Sequence, residues 1–263
     1  MQVHNDGADI VYTTMGKGPD VVLLHPFPTS HAFWFPVAER LAQRYRLILP
    51  DLRGHGASAA GDRPATMEKH AADVAAVCRD AGVTRAVFGG ISIGGYILFE
   101  FWRNYRDQVR ALMLCNTKAT ADTAEARTTR LQAADDVLRR GPDAFLDSTL
   151  PKLVGESTRR NRPDIASQLR RMMQQSAAGI SAVQRGMAER PDSLPTLPTI
   201  NVPTLIIAGD EDTTTPLADA QLMQQKIPGS RLQVVPQAGH YAVQEKADDA
   251  HRIIRSFLDS LPD

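Results

Sequence analysis

The chain has 263 residues, enough for one large domain or a domain with an insertion, and its 30 basic side chains balance 30 acidic ones. The balance gives no positive field that would attract nucleic acid or an acidic membrane. Two cysteines, Cys78 and Cys115, are too few for a disulfide framework and are predicted to be buried thiols. With no basic, apolar leader and no bilayer-length apolar run, the sequence predicts a cytoplasmic protein with a small-molecule substrate and no membrane partner. The sequence does not decide between a monomer and a homo-oligomer.

From residue 9 to about 118, short apolar runs alternate with helical patterns. This alternation predicts an α/β protein with a mostly parallel central sheet and helices on both faces. One helix is predicted over 67–81, where apolar residues form a stripe at helical spacing. The strands predicted in this part are 9–13, 21–24, 47–49, 86–88 and 111–115.

The segment Gly90-Ile91-Ser92-Ile93-Gly94 lies between a predicted buried strand and an apolar helical run at 96–102. This context favours a sharp strand-to-helix turn that exposes a serine hydroxyl. Glycines two residues on either side remove the Cβ atoms that would clash as the strand and the helix approach each other. Ser92 is therefore the candidate nucleophile.

Strand patterns stop from 119 to 198, and several amphipathic helical segments take their place. We call residues 119–198 the cap, and we assign 1–118 and 199–263 to the core. Breaks between cap helices are predicted at Gly141-Pro142, at Arg162-Pro163 and at Gly179.

Two further strands are predicted at 204–208 and 232–235, and a helix is predicted over 241–260. The turn after the first of these strands carries three carboxylates, and His240 follows the second, just before the helix. A serine hydroxyl needs a base and a group that orients the base. His240 and a carboxylate of that turn can supply both, in the chain order Ser, acid, His.

Taken together, these spaced motifs resemble the α/β-hydrolase superfamily over essentially the whole chain. Asp51-Leu52-Arg53-Gly54-His55-Gly56-Ala57-Ser58 is similar to a D-x-R-G-x-G-x-S loop of its capped members. The resemblance implies a cap inserted between the sixth and seventh core strands. It assigns the catalytic acid to Asp212, with Asp210 as the alternative. Some members carry the acid after the preceding strand, where this chain has Cys115-Asn116-Thr117 and no carboxylate.

The oxyanion hole needs two backbone N–H donors. Ile93, directly after the nucleophile at a helix N-terminus, is one candidate. The resemblance places the other at Phe27 in His25-Pro26-Phe27-Pro28, where Pro26 replaces the family's usual glycine. The two prolines predict a stiff loop and leave the cis or trans state of both X-Pro bonds open.

Phe27, Trp34 and Tyr241 are predicted to wall an apolar substrate cavity, although Trp34 fits helix packing on the sheet equally well. His25 is expected to form structural hydrogen bonds. The remaining histidines lack metal-ligand spacing, and the glycines of the Asp51 to Ser58 loop lack the context of a dinucleotide site, so we expect neither metal nor cofactor.

The sequence thus predicts a serine hydrolase of a small, mostly apolar carboxylic ester or lactone, with the triad Ser92, Asp212 and His240. The resemblance is to the capped serine esterases and enol-lactone hydrolases, with arylesterases and cofactor-free haloperoxidases or perhydrolases nearby. A carbon–carbon bond hydrolase or a perhydrolase-like enzyme with the same triad is the first alternative. A small-ligand receptor or regulator that retains the triad is the second.

Overall fold

A computed structural model describes residues 1–262 and shows one eight-stranded sheet in the order β1-β2-β4-β3-β5-β6-β7-β8. The first two pairings, β1 with β2 and β2 with β4, are antiparallel, and all the others are parallel. The strands are β1 Gln2–Asn5, β2 Ala8–Met15, β3 Asp20–Leu24, β4 Arg46–Pro50, β5 Ala86–Ile91, β6 Val109–Cys115, β7 Thr204–Gly209 and β8 Arg231–Val235.

Helices flank this sheet, with α1 packed against α11 and α2 packed against α3. Every residue of β5 and β7 is buried, as expected for central parallel strands covered on both faces. The core helices are α1 Phe35–Leu41, α2 Met67–Asp80, α3 Ile93–Tyr105, α9 Leu217–Lys226, α10 Ala242–Glu245 and α11 Ala247–Asp259. Those of the cap are α4 Ala124–Arg140, α5 Asp143–Leu153, α6 Glu156–Asn161, α7 Pro163–Met172 and α8 Ala177–Ala188.

The α/β class, the mostly parallel sheet and the seven predicted strands are confirmed, with strand ends displaced by three residues at most. The first strand, β1, was not predicted, because its four residues are too few and too polar to show a hydrophobic pattern. The cap helices α4 to α8 lie between β6 and β7, which are the sixth and seventh strands of the chain when β1 is included in the count. Both cysteines are buried free thiols.

Two predicted helix boundaries are wrong. Gly179 lies inside α8 rather than at a break. Its lack of a side chain is explained by packing, because a Cβ there would lie 2.0 Å from the Gly54 carbonyl oxygen. Glycine at this position permits close packing of α8 on the core. The predicted helix 241–260 is two helices, α10 and α11, interrupted at Lys246.

The parallel strands point their carboxyl ends to one edge of the sheet, the usual place for a ligand site in this class of fold. The loops after β3, β5, β7 and β8 carry Phe27, Ser92, Asp212 and His240 respectively. Sheet topology therefore gathers residues that are up to 213 positions apart in the sequence. Within residues 1–262, no helix has both the length and the apolar character needed to cross a bilayer.

Candidate active site

Ser92 occupies the turn between β5 and α3 in a backbone conformation that L-residues rarely adopt, with φ 54° and ψ −113°. Its amide donates to the carbonyls of Cys115 at 3.0 Å and Asn116 at 3.1 Å, which hold the turn against the end of β6. A Cβ at Gly90 would lie 2.4 Å from the backbone of Gly94. The glycines thus allow the close approach of strand and helix that strains Ser92.

The loops after β7 and β8 bring Asp212 and His240 together. His240 Nδ1 lies 2.8 Å from Asp212 Oδ2, and both side chains are buried. A carboxylate in this position accepts the Nδ1 proton and leaves Nε2 as the basic nitrogen. The neighbouring Asp210 is exposed, and its carboxylate accepts the Ala238 amide at the long distance of 3.4 Å.

Asp212 is surrounded by hydrogen-bond donors. The Thr214 and Thr215 amides donate to Oδ1 at 2.8 and 3.0 Å, and the Thr215 hydroxyl donates to Oδ2 at 2.7 Å. Burial alone would raise the pKa of Asp212, but the His240 imidazole and these hydrogen bonds lower it to about 2. The carboxylate is therefore ionised throughout the neutral range and can orient the imidazole.

Asn116 is a functional candidate that the sequence reasoning missed. Its Nδ2 donates to Asp212 Oδ2 at 2.9 Å and to the Gly239 carbonyl at 3.2 Å, and its own carbonyl accepts the Ser92 amide. Asn116 therefore contacts the Ser92 turn, the acid and the histidine loop at once. The only sequence signal was a polar residue directly after β6.

The two expected oxyanion donors, Phe27 and Ile93, lie at the ends of neighbouring strands β3 and β5. Within residues 1–262, neither amide donates to a backbone acceptor outside the helices and strands. The Phe27–Pro28 bond is cis, and the bond before Pro26 is trans. The loop is also closed by the Thr29 amide, which donates to the Pro26 carbonyl at 3.1 Å.

The prediction that Trp34 and Tyr241 wall an open substrate cavity is not met. Both side chains are 0% exposed, so neither presents surface to a ligand in this structure. The Tyr241 hydroxyl donates to the Phe27 carbonyl at 2.9 Å, and its ring packs on Phe33 at 4.9 Å. Tyr241 therefore braces the expected oxyanion loop, and Trp34 packs in the core. Phe27 remains adjacent to the cap, with its ring 6.0 Å from Phe145.

His25 has the structural role expected of it. The Leu52 amide donates to Nε2 at 2.9 Å, and Nδ1 lies 2.9 Å from the Pro26 carbonyl. Burial lowers the pKa of His25 to about 4, so the ring is neutral and links the loops after β3 and β4.

The Asp51 to Ser58 loop is a structural element beside the site. Asp51 accepts the His31 and Ala57 amides at 2.8 and 2.9 Å, and a Cβ at Gly56 would lie 2.3 Å from the Asp51 carboxylate. Arg53 forms a buried ion pair with Asp73 at 2.6 Å. These contacts fix the loop in place.

Within residues 1–262, no group of three or more His, Cys, Asp or Glu side chains has the geometry of a metal site. In the same residues, the Ser92 hydroxyl forms no hydrogen bond with a protein group, and 8% of Ser92 is exposed. A strained turn presenting a hydroxyl, a buried carboxylate–imidazole pair and two backbone amides are the groups that nucleophilic acyl transfer requires.

Comparison with known proteins gives three consistent similarities. The sequence profile of the alpha/beta hydrolase fold matches residues 19–247. A thermophilic esterase from Thermogutta terrifontis, solved with malate bound, is 38% identical with a TM-score of 0.94, covering 97% of this chain and 94% of its own. The enol-lactonase from Burkholderia xenovorans LB400 is 26% identical with a TM-score of 0.92, covering 99% and 100% respectively.

A curated relative, 3-oxoadipate enol-lactonase 2 from Acinetobacter baylyi, is 27% identical over 246 residues, which cover 89% of this chain and 91% of the relative. Each of these proteins matches the chain along nearly its whole length, cap included.

Proposed function

This chain belongs to the alpha/beta hydrolase family, and we propose that it is a serine hydrolase that cleaves a small, mostly apolar carboxylic ester or lactone through an acyl-enzyme. The observation that carries the proposal is the buried pair of Asp212 Oδ2 and His240 Nδ1 at 2.8 Å, which Asn116 links to the strained Ser92 turn. The names of the similar proteins, an esterase and two enol-lactonases, support the bond type.

In the proposed reaction, His240 Nε2 takes the Ser92 hydroxyl proton as the oxygen attacks the substrate carbonyl. The amides of Phe27 and Ile93 donate to the oxyanion that develops, and the N-terminus of α3 favours the same negative charge. His240 then protonates the leaving alcohol or, in a lactone, the ring oxygen. Water activated by His240 releases the acyl group from Ser92.

The cap supports a small, mostly apolar substrate. Phe27 and Phe145 face each other across the boundary between core and cap, with ring centroids 6.0 Å apart. Arg190 and Arg130 both pair with Asp122, at 2.9 and 2.5 Å. An uncharged acyl chain therefore suits this boundary better than an anionic one.

Turnover of a p-nitrophenyl ester series and of simple γ-lactones tests the proposal. The wild type is expected to hydrolyse at least one of them, and Ser92→Ala is expected to lose up to about 10⁶ in kcat. Binding of a ligand without turnover of any ester or lactone would favour the receptor alternative and contradict the proposal.

A further inference from the structure

One short segment of the cap, residues 152–157, runs directly along the loops that carry Asp212 and His240; we call it the strap. The Thr214 hydroxyl donates to the Lys152 carbonyl at 3.2 Å, and the Tyr241 amide donates to the Leu153 carbonyl at 3.1 Å. These donors lie two residues and one residue from Asp212 and His240. The strap is thus bonded to both loops of the proposed triad.

Glu245, in α10, joins the strap to the histidine loop through one carboxylate. Its Oε2 accepts the Gly155 amide at 2.9 Å, and its Oε1 accepts the Gly239 amide at 3.0 Å. Only 6% of Glu245 is exposed. Two amides from different parts of the chain therefore depend on the same buried side chain for their acceptor.

The backbones of the two glycines are in direct contact. A Cβ on Gly155 would lie 2.7 Å from the Gly239 nitrogen, and a Cβ on Gly239 would lie 2.2 Å from the Gly155 nitrogen. No side chain fits between them. The two oxygens of Glu245 therefore bridge backbones that are already in close contact.

A second carboxylate holds the strap without bonding to the histidine loop through its side chain. Glu211 Oε2 accepts the Ser157 amide at 2.8 Å, and the Ser157 hydroxyl donates to Glu211 Oε1. This carboxylate lies at the N-terminus of α6, where the unpaired amides and the helix dipole favour a negative charge. Glu211 therefore provides a comparison in which the strap, and not the histidine loop, loses a side-chain partner.

We propose that Glu245 is a positioning residue: by holding the Gly239 amide it fixes the backbone from which His240 extends, and by holding the Gly155 amide it couples that position to the cap. The proposal rests on the proposed function of His240 as the base. It gives the cap a role in the chemical step in addition to enclosing the substrate.

Glu245→Gln is the test, because the carboxamide keeps one acceptor oxygen and turns an NH₂ group toward the other amide. The rate constant for labelling Ser92 with a fluorophosphonate and kcat for an ester are both expected to fall about tenfold, with KM changed less than threefold. The labelled fraction at completion is expected to stay at one per chain, which separates slow chemistry from loss of folded protein. Glu100→Gln, which removes a carboxylate paired with Arg103, serves as the matched control.

Hydrogen exchange supplies a readout that does not depend on activity. Glu245→Gln is expected to speed exchange at 153–158 and at 238–241 together, whereas Glu211→Gln is expected to speed exchange at 153–158 alone. If Glu245→Gln fails to fold, Gly155→Ala tests the same coupling, because its Cβ forces the strap away from Gly239 and is expected to slow labelling in the same way.

Labelling within twofold of wild type in the folded variant, or faster exchange in only one segment, would overturn the proposal. A wild-type protein that is not labelled at all would instead overturn the proposed function, and the exchange comparison would still decide whether Glu245 couples the two segments.

Discussion

Asn116 Nδ2 lies 2.9 Å from Asp212 Oδ2, the same carboxylate oxygen that lies 2.8 Å from His240 Nδ1. The backbone carbonyl of Asn116 also accepts a hydrogen bond from the Ser92 amide, and Asn116 has a positive φ of 42°. A backbone strained in this way is held by its surroundings, here by the three loops that it joins. Asn116 thus connects Asp212, the Ser92 turn and the loop that carries His240.

Replacing Asn116 tests this connection. Asn116→Ala removes a hydrogen bond to a buried charge, which is worth about 1.5 to 3 kcal/mol. We expect kcat to fall by about tenfold or more, since Asp212 and the Gly239 carbonyl of the histidine loop both lose the Nδ2 donor. Asn104→Ala, which removes an exposed amide that donates to Glu100, is the control and should leave ester turnover unchanged.

Asp212, and not the neighbouring Asp210, is assigned as the catalytic acid, and the same substitution at each position tests this assignment. Asp212→Asn is expected to lower kcat by about 10⁴, because the amide no longer selects the His240 tautomer with a basic Nε2. Asp210→Asn should have little effect, since this side chain is exposed and only weakly bonded. Steady-state kinetics on one ester compares them, and the opposite ranking would transfer the role of the acid to Asp210.

The strain at Ser92 predicts a gain in stability when the side chain is removed. Glycine adopts φ 54° readily, whereas alanine keeps the Cβ that makes this conformation costly, by about 1 to 3 kcal/mol. We expect Ser92→Gly to unfold in urea with a free energy about 1 kcal/mol above that of Ser92→Ala, after the entropy cost of glycine. Equal stability of the two inactive variants would show that the turn is not strained.

Buried histidines predict destabilisation in mild acid. Burial lowers the pKa of His25 to about 4 and of His55 to about 3, and lowers the pKa of His70 well below its usual value. Below pH 6.5 the unfolded chain therefore binds protons that the folded chain does not, and stability falls from pH 6.5 towards pH 4. Each group contributes up to about 1.4 kcal/mol per pH unit over that window.

His70 offers a direct check, because among residues 1–262 neither of its buried ring nitrogens has a hydrogen-bond partner. His70→Leu should raise the free energy of unfolding at pH 5 more than at pH 7.5. The exposed Leu138, replaced by Gln, adds and removes no titrating group and serves as the control. A pH dependence identical in His70→Leu and wild type would contradict the assignment.

The sequence predicted those parts of the fold and site that depend on local pattern. The Ser92 elbow needs only neighbouring glycines, a strand and a helix, and the central strands are continuous apolar runs. Residues whose roles depend on distant partners were missed or misassigned. Asn116 gains its role only where β6 and β7 end side by side, and Tyr241 is turned inward by a hydrogen bond to Phe27, 214 positions away.

The roles of Gly179 and Glu245 also depend on partners that are distant in the sequence. Gly179 resembled a helix break, but its place in α8 is explained by the Gly54 backbone packed against it. Glu245 carried no motif, because Gly155 and Gly239, which it joins, are 84 residues apart in the chain. In both cases a tertiary contact, and not a local sequence pattern, determines the role of the residue.

Mass spectrometry of the protein after fluorophosphonate treatment tests the central claim most directly. Peptide mapping is expected to find one adduct per chain, on Ser92, formed rapidly in the wild type and far more slowly in His240→Ala. An adduct on another residue, or labelling of Ser92 at the same rate in His240→Ala, would contradict a nucleophile at Ser92 activated by His240.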